Sequence, residues 1–198
     1  MAFEIRLSRA SDAEGCLAVY APYVLSSAVS FETKPPSVEE FRRRIESISA
    51  QYPYIVCLEA GRVIGYAYAH RHKERAAYQW NAELSVYLDG AYRRRGLGRA
   101  LYGALMEILR LMNVKNVYAL VTSPNPASEA LHEAMGFRRA GVLSKTGYKM
   151  GAWHDVIAFE RAIGAVDRAP EPFIPLPCLD PRGVERALNA CRRAVNAR

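Results

Sequence analysis

Apolar residues recur along this chain in two rhythms, at every second position in some stretches and at every third or fourth in others. The switches between the rhythms mark out one mixed domain. Phe3, Ile5 and Leu7 alternate with polar neighbours and predict a short strand, after which Ser11 and Asp12 offer caps for a helix. The proline-marked "KPPS" opens a second helix, with Val38, Phe41, Ile45 and Ile48 on one face. "YIVCLEA" and "VIGYAYAHRH" predict two strands joined in a hairpin at Gly61-Arg62. "NAELSVYLDG" is a further strand, followed by a glycine-rich turn and a helix running to about Met112. "VKNVYALVTSP" predicts another strand and "PASEALHEAMGF" a helix closing at Gly136. "RRAGVLSKTGYKMGAWHDVIAFERA" adds a last loop and one or two strands.

From Ala169 the pattern changes. "APEPFIPLPCLDP" is proline-dense and is expected to lie extended over the domain surface. Val184, Ala187, Leu188, Cys191 and Val195 then fall at helical spacing, in a helix too short to be stable unless it docks. The expected organisation is one domain over residues 1–165, with residues 166–198 packing on or beside it.

Composition narrows the function classes. At 198 residues the chain can bury a full core, and 51% hydrophobic content excludes a disordered protein. A net charge of +7 suits an anionic ligand such as a nucleotide or phosphorylated cofactor, and is too mild to require nucleic acid. Cys16, Cys57, Cys178 and Cys191 have no metal-type spacing and sit in apolar surroundings. With no leader-like segment ahead of them, they are expected as reduced core thiols of a cytoplasmic protein. No apolar run approaches the ~20 residues that spanning a bilayer needs, so no membrane partner is expected.

The candidate chemistry begins at "RRRGLGRALYG", residues 93–103. A strand ending at Leu88, a turn containing Gly96 and Gly98 and a helix starting near Gly98 would form a cradle of free backbone amides at a helix N-terminus. A pyrophosphate is the natural occupant, with Arg94, Arg95 and Arg99 adding charge-assisted hydrogen bonds. There is no Gly-Lys-Ser/Thr, which excludes a nucleotide-hydrolysing P-loop, and the third glycine and acidic residue of a dinucleotide fingerprint are missing. His70-Arg71-His72 is not expected to hold metal, because no acidic or cysteine partner is evident in the sequence.

Arg93 to Gly98 also resembles the Q/R-x-x-G-x-G/A acetyl-CoA motif of the GCN5-related N-acetyltransferase (GNAT) superfamily. "NPASEALHEAMGF" is similar to its second element, an asparagine opening a helix and a Gly-Phe ending it. "SFETKPPS", "KERAAYQW", "AELSVYL", "SPNPASEALHEAMGF" and "GYKMGAWHDV" narrow the resemblance to the phosphinothricin and methionine sulfoximine acetyltransferase branch, over residues 3 to about 161. It implies an α/β (α+β) fold with a mixed, mostly antiparallel central sheet flanked by helices. It further implies a homodimer and an acetyl-CoA-dependent enzyme that acetylates the α-amine of a small amino acid analogue, in a detoxification role.

Resemblance also assigns the residues. Val86, Tyr87 and Leu88 would present backbone groups to the pantetheine arm and acetyl carbonyl, while Arg94, Arg95, Gly96, Leu97, Gly98 and Arg99 would hold the pyrophosphate. Asn125 would combine helix capping with a cofactor hydrogen bond. Glu83 is the candidate general base, acting directly or through water, against a structural alternative in which it pairs with an arginine. His132 stands where the superfamily often has a tyrosine acid, and an imidazole there can move a proton in either direction, against a structural alternative of a helix histidine hydrogen-bonded beneath the pocket. Lys73, Arg75 and Tyr78 match acceptor-binding positions, against a solvated basic loop; Phe31 matches an apolar wall, and Tyr102 a position near the substrate, against a core tyrosine at helical spacing. Arginine suits a carboxylate or phosphinate through bidentate contact. His154 is expected to make a structural hydrogen bond.

Three other readings stay open at this stage. One is an acetyltransferase for a polyamine, aminoglycoside or protein N-terminus; the positive charge weighs against the cationic acceptors. Another is a nucleic-acid binder using the arginine run and Arg186, Arg192, Arg193 and Arg198, against which no aromatic pattern interleaves with the basic residues. The third is a CoA sensor without turnover.

Overall fold

The computed structural model describes residues 3–166 and 168–197, so Arg198 lies outside the described residues. Seven strands, β1 (Glu4–Leu7), β2 (Tyr54–Glu59), β3 (Arg62–Arg71), β4 (Asn81–Leu88), β5 (Asn116–Ser123), β6 (Arg138–Lys149) and β7 (Ala152–Ala162), form one sheet. Their order is β1-β2-β3-β4-β5-β7-β6, and every neighbouring pair is antiparallel except β4–β5. Five helices flank it: α1 (Ala13–Ser26), α2 (Val38–Ser49), α3 (Leu97–Leu111), α4 (Pro126–Ala134) and α5 (Pro181–Asn196). The mixed, mostly antiparallel sheet agrees with the expected fold.

Strand alternation places a core on each face of the sheet. On one face Ile55, Cys57, Ala82, Leu84 and Val117 pack beneath Leu101, Leu105 and Ile108 of α3. On the other, Val56, Tyr54 and Tyr66 meet Cys16, Val19 and Tyr20 of α1 and Phe41 and Ile45 of α2. Ser37 caps α2, its hydroxyl accepting from the Glu40 amide at 3.1 Å.

Three local expectations need correction. The β2–β3 turn is Ala60-Gly61, one residue earlier than Gly61-Arg62: both have positive φ (49° and 78°), as a tight hairpin requires, and Arg62 already pairs with Glu59 in the ladder. Asp12 sits at the start of α1 without capping it. Its carboxylate instead takes two bonds from Arg6 (2.7 and 2.8 Å) and one from the Arg9 amide (2.7 Å). Cys178 is exposed; only Cys16, Cys57 and Cys191 are buried, and burial pushes those three thiols up to about 12.

The C-terminal extension docks on its own chain. Val184, Ala187, Leu188, Cys191 and Val195 are all buried, against a core that includes α3. Arg192 donates to the Ile5 carbonyl at 2.8 Å, and the Asn196 amide bridges both backbone groups of Phe3. The proline-rich stretch is tied down by Ile174 N to Met112 O and Leu176 N to Gln51 O. Among the described residues, no helix is long and apolar enough to cross a membrane.

Candidate active site

The site is built where β4 and β5 part. Their parallel ladder runs Asn81↔Asn116, Ala82↔Val117 and Glu83↔Tyr118, and ends there. Beyond it the β5-facing backbone of β4 has no strand partner, and a cavity of about 60 Å³ opens between Leu84–Tyr87 and Ala119–Thr122. Asn125, Ser128 and His132 of the α4 region, with Tyr102 and Val29, complete the lining. That space exceeds the ~10–15 Å³ one water needs and admits small groups. An open strand edge beside it is what an extended ligand arm needs for β-type pairing.

The residues predicted to hold the ligand divide. Val86, Tyr87 and Asn125 line the gap. Leu88 does not: its carbonyl accepts from the Tyr23 hydroxyl at 2.6 Å and its amide donates to the same oxygen at 3.3 Å. Gly96 has φ 78° at the N-cap of α3, a left-handed conformation that side chains resist, and it turns the chain so that the first α3 amides are free. Arg94, just before it, is also left-handed (φ 62°). Gly98 and Leu97 are buried, and a Cβ on Gly98 would make only ordinary contact with Leu131 and Leu88. Its lack of a side chain is therefore not demanded by packing. Arg94, Arg95 and Arg99 are exposed beside the turn. The Arg95 guanidinium lies 4.9 Å over the Tyr92 ring, and Arg99 donates to the Ala134 carbonyl at 2.6 Å.

His132 has the clearest chemical signature. Only 2% exposed, it sets Nδ1 2.7 Å from the Ser128 carbonyl. A carbonyl only accepts, so Nδ1 carries the proton and Nε2 the lone pair. Nε2 is buried with no hydrogen-bond partner in a residue that lines the cavity. Burial lowers the pKa of the ring, with the Ser128 carbonyl opposing, so the neutral form prevails at neutral pH. His132 therefore rests neutral with Nε2 as a proton acceptor, one of the two directions of proton movement that its place in the sequence left open. The rings of Phe159, Phe137 and Tyr102 hold it, at centroid distances of 5.1, 5.1 and 5.4 Å.

Tyr102 is buried under β4, its hydroxyl donating to the Leu84 carbonyl at 3.2 Å, and burial pushes its phenol far up. It supports the strand at the gap. Asn125 caps α4 as expected, Oδ1 accepting from the Ser128 amide at 3.3 Å.

Glu83 occupies the last paired row of β4, on the face opposite Leu84, and its side chain is 18% exposed. The partner is not an arginine. His72 Nδ1 lies 3.3 Å from Oε2, and His70 Nε2 lies 3.8 Å from Oε1. The acidic neighbour that the sequence did not reveal for His70 and His72 is thus Glu83, placed opposite His70 by the β3–β4 register. Among the described residues, no group of three or more His, Cys, Asp or Glu is arranged to hold a metal.

Lys73 and Arg75 are exposed and Tyr78 half-buried in the loop between β3 and β4; the Lys73 ammonium lies 4.9 Å over the Tyr78 ring. None of the three lines the cavity, nor does Phe31. Phe31 covers Gly147, where any Cβ would run into its ring, and faces the His154 imidazole at 6.4 Å. His154 Nε2 bonds the Lys149 carbonyl at 3.0 Å, a structural contact. Lys149, buried, donates to the Val24 and Ser30 carbonyls at 2.7 and 2.6 Å and pins the Phe31 loop to the end of β6. Lys149 and Tyr23 escaped sequence reasoning, and His70 and His72 were weighed only as metal ligands, since the partners of all four are distant in the chain. Two-residue spacing opposite a strand glutamate was the one available signal, and it identified no partner.

A model of the acetyltransferase (GNAT) domain matches residues 5–158. The phosphinothricin N-acetyltransferase of Streptomyces viridochromogenes is 37% identical over 158 residues, 80% of this chain and 86% of that protein. The L-methionine sulfoximine/L-methionine sulfone acetyltransferase of Pseudomonas aeruginosa is 29% identical over 172 residues, 86% of this chain and 100% of that protein. A crystal structure of a GNAT superfamily phosphinothricin acetyltransferase from Sinorhizobium meliloti, in complex with AcCoA, gives a TM-score of 0.82 at 34% identity. That match covers 86% of this chain and 94% of the other.

Proposed function

The chain belongs to the GNAT acetyltransferase family, and from that premise we propose that it transfers acetyl from acetyl-CoA to the α-amine of a small amino acid analogue of the phosphinothricin or methionine sulfoximine type. The observation that carries this reading is the open edge of β4 facing a buried imidazole nitrogen that has no partner. Acetyl-CoA supplies the activated acetyl thioester. Val86 and Tyr87 offer the strand edge for its arm, and the Gly96 turn with Arg94, Arg95 and Arg99 offers the amides and cations for its pyrophosphate.

Two protons need handling. Glu83 takes the first, from the ammonium of the acceptor, leaving a nucleophilic amine. His132 Nε2, resting with its lone pair free, takes the second as the amine attacks and returns it to the departing sulfur. Lys73, Arg75 and Tyr78 in the β3–β4 loop, with Phe31, are the proposed acceptor contacts; the exposed cations there suit a carboxylate or phosphinate.

The reading includes a homodimer. Val142, Leu143, Tyr148, Met150 and Trp153 of the β6–β7 hairpin are 50–62% exposed, an apolar grouping suited to a second copy. The buried free thiols suit a reducing, cytoplasmic compartment, and the acceptor class suits detoxification. A nucleic-acid role is disfavoured by Arg192, whose guanidinium is held by Ile5 O, Glu185 and Asn189.

The test is thiol release from acetyl-CoA with phosphinothricin, methionine sulfoximine, ordinary amino acids, spermidine and an aminoglycoside as acceptors. Saturable turnover confined to the first two is the expected result. Activity only on amines lacking an acidic group would keep the transferase and overturn the roles of Lys73 and Arg75.

A further inference from the structure

We propose that His70 and His72 form, with Glu83, a proton exit from the acceptor amine, in which His72 fixes the carboxylate and His70 carries its proton to solvent. This rests on the reading of Glu83 as general base and goes beyond it, since it assigns the fate of the proton after Glu83 has taken it.

The register of the sheet builds the arrangement. His70 is the cross-strand partner of Glu83 on β3, and Tyr118 is its partner on β5, so the three share one row. His72 follows two residues later on the same face, and its ring lies flat on Tyr118 at 4.2 Å with 10° between the planes. That stacking fixes the imidazole so that Nδ1, 3.3 Å from Glu83 Oε2, donates to the carboxylate. Oε1 is left for the acceptor and for His70.

The tautomer of His70 follows from its other nitrogen. Nδ1 lies 2.9 Å from the Arg71 carbonyl and must donate to it. Nε2 therefore meets Glu83 Oε1 either with a lone pair or, after gaining a proton, as an imidazolium. A lone pair facing an ionised carboxylate is repulsive, whereas one proton between the two groups bonds them. The two groups are close enough to share a proton, and one arrives when Glu83 deprotonates the acceptor ammonium. The separation of 3.8 Å closes to hydrogen-bond length with a movement of about 1 Å.

The steps balance. The ammonium gives a proton to the Glu83 carboxylate, yielding the free amine and a carboxylic acid. The acid passes that proton to His70 Nε2, restoring the carboxylate, and the imidazolium releases it to water. Exposure fits the direction of flow, because the His70 side chain is 37% exposed while those of Glu83 and His72 are 18% and 17%. The other groups around the row do not compete. Tyr68 presents its ring to His70 at 5.9 Å, and Arg71 turns to Glu74 at 3.7 Å. On β7, Glu160 stands opposite Tyr118 and is held by Arg138.

The test is single-turnover acetyl transfer by His70→Gln, His72→Ala, His72→Asn and Glu83→Gln, with acetyl-CoA affinity measured alongside. His70→Gln keeps size and polarity and loses the titrating ring; its transfer rate is expected to fall on the order of tenfold or more, with added imidazole restoring part of it. His72→Ala is expected to lose about tenfold, and His72→Asn, whose amide can still donate to Oε2, to recover most of that. Side-chain ¹⁵N spectra of the unliganded protein should show His70 protonated at Nδ1. Wild-type transfer by His70→Gln, beside an inactive Glu83→Gln, would overturn the exit route and leave the base in place. Full transfer by Glu83→Gln would overturn the base itself.

Discussion

The Gly96 turn and the His70–Glu83–Tyr118 row lie at the two ends of β4 and are made in opposite ways. The turn is a local object: a left-handed glycine at the head of a helix frees backbone amides, and exposed arginines stand within four residues of it. The row is a non-local object, because β3, β4 and β5 each contribute one side chain and only their register brings them together. A backbone site is suited to holding a ligand whose charge does not change during reaction, whereas side chains that gain and lose protons are suited to the chemistry. Binding and turnover should therefore separate by region when each is damaged.

The largest expected effect after loss of the base is at His132. His132→Ala should lower the transfer rate by about 100-fold with acetyl-CoA affinity nearly unchanged, because a neutral acceptor nitrogen is lost without touching the turn. Pre-steady-state thiol release and calorimetric titration separate the two quantities. Gly96→Val should do the reverse. A β-branched residue at φ 78° costs on the order of 1–2 kcal/mol and fills the approach to the amides, so acetyl-CoA affinity should fall at least tenfold. The rate at saturation should be largely kept. A variant that lost both equally would break the division between the two regions.

Smaller effects are expected in the β3–β4 loop. Arg75→Ala should raise the acceptor KM by about tenfold, the loss of one charge-assisted contact, and leave the acetyl-CoA KM unchanged. Trp153→Glu should shift the protein toward monomer in sedimentation velocity.

One stability prediction lies outside both regions. Burial alone would raise the Asp12 carboxyl, but the bonds from Arg6 and the Arg9 amide outweigh it and lower its pKa. A depressed carboxylate pKa means that this stabilisation is present above the ordinary carboxylate value near 4 and is lost as pH falls through the lowered folded value. Asp12→Ala should cost about 1.5–3 kcal/mol in urea unfolding at pH 7. The gap to the wild type should narrow as pH falls below the ordinary carboxylate value.

The contrast between the regions also explains what could be read from the sequence. "RRRGLGRALYG", the strand before it and the capped helix at Asn125 are patterns of adjacent residues, and the structure forms the strand, the turn and both helices there. The five apolar residues spaced along α5 are all buried, although the sequence did not say what that helix would dock on. The partner of Glu83 was not legible, because β3 and β4 could have paired in several registers and each would have set a different residue opposite the carboxylate. The hydrogen bond from Nδ1 of His132 to its own helix fixes the resting tautomer, which the sequence position alone left open. Tyr23 reaching Leu88 across sixty-five residues left no local trace.

The most direct test of the account is one paired measurement on Glu83→Gln: the single-turnover rate of acetyl transfer to phosphinothricin, and the dissociation constant for acetyl-CoA. The account predicts a rate lowered by about 10²–10⁴-fold with the dissociation constant unchanged. A rate within a few-fold of wild type would contradict it and move the chemistry away from the row where β4 and β5 part.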